Sequence, residues 1–230
     1  LLIVALLILA VYVRRQLTSS NAILNFKVFK RRNFRIGAVL VMIDFGIILS
    51  SMYLLPMFWQ NGLAIPVALT GIVMLPGGVV NAIFSAISGR MTEQHSTRML
   101  AVLGFGIVII AVIMLLLASS TSPMWYVMLA HIILMIGAPL AMSPTQTFGL
   151  NALDQETSSD GSTIMNTFQQ IIGAVATAVA TSLLAVGQHA SSAAATTRVA
   201  FTNGVHLGLI FTLVLAVIAF CLSFRIKQEH

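Results

Sequence analysis

Charge is scarce in this chain. Its 230 residues hold 12 Lys and Arg and 6 Asp and Glu, or 8% charged, where a soluble domain is usually about a quarter charged. Its single cysteine, Cys221, excludes an internal disulfide. Catalytic signatures are missing as well: no Gly-x-Ser-x-Gly, no His-Glu-x-x-His, no phosphate-binding loop and no Cys/His cluster with metal-ligand spacing. The sequence therefore points away from an enzyme, and no metal or cofactor is expected.

Apolar residues are abundant, at 58%. That much apolar surface cannot be buried in a water-soluble fold of this size. About 20 apolar residues cross a bilayer as a helix. One partial and six complete runs fit: Leu1–Val13, then Ile36–Phe58, Gly71–Gly89, Met99–Ala118, Met124–Leu150, Ile164–Gly187 and Gly204–Phe224. The chain opens inside an apolar run without Met, so it reads as a piece of a longer protein entered in mid-helix.

The net charge of +6 does not imply nucleic acid, because the cations flank the apolar runs. Arg14, Arg15, Lys27, Lys30, Arg31, Arg32 and Arg35 precede the first complete run. Arg90 and Arg98 bracket a later loop, and Arg225 and Lys227 follow the last run. The alternate loops hold only Arg198. The positive-inside rule then places both ends in the cytoplasm. The segment Asn151–Gly161 falls on the cytoplasmic side by parity, yet carries Asp154, Glu156 and Asp160 and no cation. Residues Asn21–Arg35 mix apolar side chains with cations, as either an interfacial helix or a solvated loop would. Four segments follow: residues 1–13 as the end of a membrane helix, 14–35 as a basic cytoplasmic linker, 36–224 as a six-helix bundle and 225–230 as a cytoplasmic tail.

Polar side chains are costly in hydrocarbon and tend to face protein or water. Met99–Ala118 and Gly204–Phe224 have almost none in their middles and are expected at the periphery, facing lipid. The other four runs carry polar stripes: Asp44 and Ser51; Asn81, Ser85 and Ser88; His131, Ser143 and Gln146; and Asn166, Gln170, Gly173 and Thr177 with Gln169 alongside. They suggest a substrate-bearing interior, lined by Ser51, Asn81, Ser85, His131, Gln146, Asn166, Gln169, Gln170 and Gly173. Interhelical hydrogen bonding and close helix packing are the plainer readings of the same residues. Asp44 is the one acid well inside an apolar run, at an insertion cost of about 2.5–3.5 kcal/mol. It is a candidate for proton coupling or cation recognition, or else an Asp bonded to a neighbouring helix.

Several segments carry a resemblance. These are Ala22–Phe34, Tyr53–Gln60, Met74–Gly78, the loop Gly89–Arg98 and Thr167–Ala174. The chain resembles the major facilitator superfamily, in particular its fourteen-helix drug:proton antiporters of the EmrB/QacA type and, among them, the LmrB-like lincomycin-resistance exporters. Gly89, Arg90 and Arg98 match the superfamily's loop motif Gly-Arg-Leu-x-Asp-Arg-x-Gly-Arg-Arg, and Glu93 replaces its Asp. Gln94, Ser96 and Thr97 depart from it. The resemblance implies that this loop stabilises one conformational state. Gln170 and Gly173 match the penultimate helix's Arg-Gln-Leu-Gly-Gly-Ala, but Gln169 stands where Arg is common, so a role needing that cation does not carry over.

The fold so implied is an all-α membrane protein: a six-transmembrane-helix half of a major facilitator fold plus part of a preceding helix. The implied function is that of the C-terminal half of a proton-coupled multidrug efflux transporter in the plasma membrane, working by alternating access. Its partners would be the bilayer, a lipophilic drug-like substrate, protons and an N-terminal half. A metabolite carrier of the same superfamily and a non-transporting membrane scaffold subunit are the alternatives.

Overall fold

The computed structural model describes residues 26–191 and 196–227. The run Leu1–Val13, residues 14–25 of the basic linker and the end of the tail lie outside them. Among the described residues the protein is an all-α membrane protein with no strand. Its helices are α1 (Arg32–Met57), α2 (Val67–Gln94), α3 (Thr97–Leu116), α4 (Met124–Asn151), α5 (Gln155–His189) and α6 (Thr197–Ser223). All six are long and apolar enough to cross a membrane.

Each helix contains its expected apolar run almost completely, and most continue past it. Apolarity ends where lipid ends, whereas backbone hydrogen bonding continues until a cap or a turn intervenes. Ser96 caps α3 by accepting from the Met99 amide, and Thr196 caps α6 by accepting from Val199. The acidic segment Asn151–Gly161, expected as a loop, is mostly helical: only Ala152–Asp154 separate α4 from α5. Glu156 lies in the first turn of α5, where a negative charge complements the helix dipole. Arg31 supplies the cation this segment lacks in sequence, meeting Asp154 at 2.8 Å.

Over its described part the basic stretch ahead of α1 is folded against the bundle. Phe26–Lys30 form a short 3-10 helix with Val28 buried. Phe29 stacks edge-on against Phe34 of α1 at 5.4 Å and Phe168 of α5 at 5.9 Å. Aromatic packing thus pins the segment to the helix ends.

Helices α1 and α4 form the centre. They run antiparallel, with Gly37 beside Gly149 at one end and Trp59 beside His131 at the other. A Cβ on Gly37 would lie 2.7 Å from the Gly149 Cα, so only glycine allows this crossing. Helix α3 packs on α4 and α6, α5 packs on α1 and α6, and α2 rests mainly on α4. Burial follows this plan: in an apolar 18-residue stretch of each helix, 61% is buried in α1 and 56% in α4, against 17% in α2 and 22% in α5. Helices α2 and α5 are therefore the ones whose sides stand open. The exposed large side chains of α3 and α6 are apolar, among them Leu103, Ile110, Ile210 and Val214. One polar residue in mid-α6, Thr212, turns inward and bonds to the Gly208 carbonyl of its own helix, with Ser50 of α1 3.4 Å away.

Candidate functional site

The polar residues singled out in the sequence divide into two groups. Ser85, Asn166 and Gln170 are exposed, and Asn81 is half-buried, on the two least covered helices. On α2, Ser85 stands among exposed Ile72, Leu75, Val79, Ile83 and Ile87; on α5, Asn166 and Gln170 precede exposed Val175 and Val179. Gln146 of α4 is half-buried. These faces are apolar surfaces with a few polar groups.

The second group lies inside the bundle. Asp44, Ser51, His131, Gln169 and Gly173 are all buried. Gly173 is a packing position: a Cβ there would meet the side chains of Leu49 and Phe45, at 2.5 and 2.9 Å. Gln169 is 4% exposed and its amide nitrogen has no hydrogen-bond partner. The stripe on α5 therefore splits, with Asn166 and Gln170 facing out and Gln169 and Gly173 facing in.

Asp44 is fully enclosed, and neither carboxylate oxygen has a hydrogen-bond partner. It shares one face of α1 with Gly37 and Ser51, each seven residues away, and Gly37 marks that face as the one turned to α4. Ser51 is equally enclosed, and its hydroxyl also lacks a partner. Ser50 beside it is satisfied by the Gly46 carbonyl of its own helix at 2.7 Å. Burying an unpaired charge is expensive. The ionisation of Asp44 is thus tied to whether water or a partner can reach it.

His131 lies near the other end of the same α1–α4 seam. Its ring meets Trp59 edge-on at 5.7 Å and sits where a Cβ on Gly77 of α2 would be, and its Nδ1 is without a partner. The indole nitrogen of Trp59 is also unpartnered. One imidazole of α4 therefore meets α2 and the turn that follows α1. Trp59 and Gly77 lie in two of the segments that carry the resemblance, but nothing in the sequence joined them to His131, because no periodicity within one helix reveals which residues meet across several. His206 differs: its Nε2–H donates to the Ala118 carbonyl at 2.8 Å, fastening α6 to the end of α3.

The loop motif is dispersed. Gly89, Arg90 and Glu93 are exposed near the end of α2, and no ion pair joins Arg90 to Glu93. A Cβ on Gly89 would meet nothing within 4 Å. Arg98 lies over the Phe224 ring at 5.4 Å, linking the start of α3 to the end of α6. Among the described residues no group of three or more His, Cys, Asp or Glu is placed to hold a metal ion.

The sequence model of the Major Facilitator Superfamily matches residues 1–177. The chain is 37% identical over 233 residues to the lincomycin resistance protein LmrB of Listeria innocua, covering 99% of this chain and 50% of that protein. It is 37% identical over 239 residues to LmrB of Bacillus subtilis, covering 100% of this chain and 50% of the relative. The multidrug export protein EmrB of Haemophilus influenzae is 26% identical over 184 residues, or 79% of this chain and 36% of that protein. The chain spans about half the length of the LmrB proteins it matches.

Proposed function

We propose, from the premise that this chain belongs to the Major Facilitator Superfamily, that it is the C-terminal half of an exporter that expels lipophilic drugs in exchange for protons by alternating access. The observation that carries the reading is the uneven cover of the bundle. Helices α2 and α5 are long and apolar but little buried, and their open faces hold Asn81, Ser85, Asn166 and Gln170. Faces of this kind suit a second half-bundle with a substrate between the two. The similarity to proteins named for lincomycin resistance and multidrug export supports a drug-like substrate.

In this reading residues 1–13 end a preceding helix, 14–35 form a cytoplasmic linker, 36–224 are the transmembrane bundle and 225–230 are a tail. Both ends face the cytoplasm, on the evenness of the helix count and the distribution of Lys and Arg. Asn81, Ser85, Gln146, Asn166 and Gln170 are the polar contacts for substrate. Ser51, His131, Gln169 and Gly173 shape the wall behind them. Arg90, Glu93 and Arg98, with Gly89, act at the cytoplasmic edge when the halves rearrange.

Asp44 is the proposed proton carrier or cation attractor. An enclosed carboxyl without partners changes state when a rocking motion admits water or a cation, and that change couples the two fluxes. The test is Asp44→Asn in the full-length protein. The isosteric change should lower drug resistance to that of cells without the transporter, at unchanged expression. Wild-type resistance in that variant removes Asp44 from the mechanism.

A further inference from the structure

We propose that the cleft between the start of α1 and the end of α6 binds an anionic phospholipid. The cleft is a cavity of about 280 Å³ lined by Arg32, Arg35, Ile36, Val39, Leu222 and Arg225. The four α1 residues fall at i, i+3, i+4 and i+7, so they share one helix face. Leu222 lies in the last turn of α6, and Arg225 follows that helix.

Charge and shape point to the same ligand. Three arginines line one cavity, and no acidic residue does. Among the described residues none of the three makes an ion pair or a side-chain hydrogen bond, whereas Arg31 is paired with Asp154 and Arg198 is held by two carbonyls. Like charges gathered around a cavity repel one another until an anion enters. Guanidinium forks match phosphate oxygens in pairs.

The rest of the wall is apolar. Ile36, Val39 and Leu222 lead from the arginines into the membrane span, and Val39 is 36% exposed. A soluble phosphate would use only the charged rim. A phospholipid uses both, with its phosphate on the arginines and an acyl chain along the Ile36–Val39 face. Basic pockets between transmembrane helices at the membrane edge have this chemistry. The site rests on the membrane fold alone and not on transport; which leaflet supplies the lipid follows from the proposed orientation.

Native mass spectrometry of the full-length protein in detergent, titrated with dioleoylphosphatidylglycerol or dioleoylphosphatidylcholine, tests this. The wild type should retain phosphatidylglycerol about five-fold or more in excess of phosphatidylcholine, the ratio given by the attraction of a single interfacial cation. Replacing all three arginines (Arg32→Gln, Arg35→Gln, Arg225→Gln) should erase the excess. Val39→Trp fills the apolar part of the cleft and should reduce retention with every charge in place. Both variants should melt with the wild type in lipid-free detergent, since the substituted side chains are exposed. Equal retention of the two lipids by the wild type overturns the proposal. So does undiminished phosphatidylglycerol in either variant, or its full displacement by millimolar inorganic phosphate.

Discussion

Arg198, in the first turn of α6, donates from Nε to the Gly62 carbonyl at 3.0 Å. Its Nη2 also reaches the Ser120 carbonyl at 3.2 Å. The one cation of the alternate loops is therefore a strap across the α1–α2 and α3–α4 connections. Charge-assisted bonds are the stronger kind, but this guanidinium is exposed, so its net contribution is about 1 kcal/mol. Arg198→Ala should speed amide exchange in residues 60–65 and 119–122 and leave the middles of the helices unchanged. Uniform protection in both variants would show that the loops hold without the strap.

His131 and Gly77 should behave as one unit. Gly77→Ala puts a methyl group where the imidazole sits, whereas a Cβ on the neighbouring Gly78 meets nothing within 4 Å. The Gly77→Ala penalty should shrink in a His131→Ala background, with a coupling of about 0.5–3 kcal/mol, and Gly78→Ala should show no coupling to His131. Thermal melts of the four-member cycle measure it.

Gly104 and Gly137 bring α3 onto α4. A Cβ on Gly104 would lie 2.6 Å from the Ala141 backbone nitrogen, and one on Gly137 would lie 2.7 Å from the Gly104 carbonyl oxygen. Backbone cannot rotate out of the way as a side chain can. Either Gly→Ala change should cost about 1–3 kcal/mol, the usual penalty of overpacking. A melting temperature equal to the wild type in detergent would contradict this packing.

The Arg31–Asp154 pair should contribute little despite its 2.8 Å separation. Its side chains are 59% and 72% exposed, which leaves an ion pair worth about 0–1 kcal/mol. Asp154→Asn should melt within a degree or two of the wild type, and added salt should narrow the gap further. A large loss would mean that the pair anchors the linker.

The six spans were legible in the sequence because a long apolar run is a one-dimensional signal. Helix ends were less so: α5 begins at Gln155, ahead of the apolar run that starts at Ile164, since its first turns lie among polar residues that hydropathy does not register. The cost of placing Asp44 in the membrane was legible. Its lack of a partner was not, because that depends on what α4, α5 and α6 bring to the same depth. The stripe on α5 shows the limit most clearly. Residues 169 and 170 are adjacent Gln, yet one is buried and the other exposed, and only the packing of the neighbouring helices decides which. Resemblance picked out the Gly89–Arg98 loop, but no spacing rule could set Arg98 over Phe224, more than a hundred residues away.

The contacts of α1 also set an order of events during synthesis. Its main partners are α4, α5 and α6, while α2 and α3 scarcely touch it. A ribosome adds about 5–20 residues per second, and roughly 100 residues separate Asp44 from the end of α4, so α1 waits on the order of 10 s for its first large partner. Throughout that interval its carboxyl must be sheltered by the insertion machinery or by lipid headgroups. A residue fully enclosed in the finished bundle is thus among those left longest without cover while the bundle is being made.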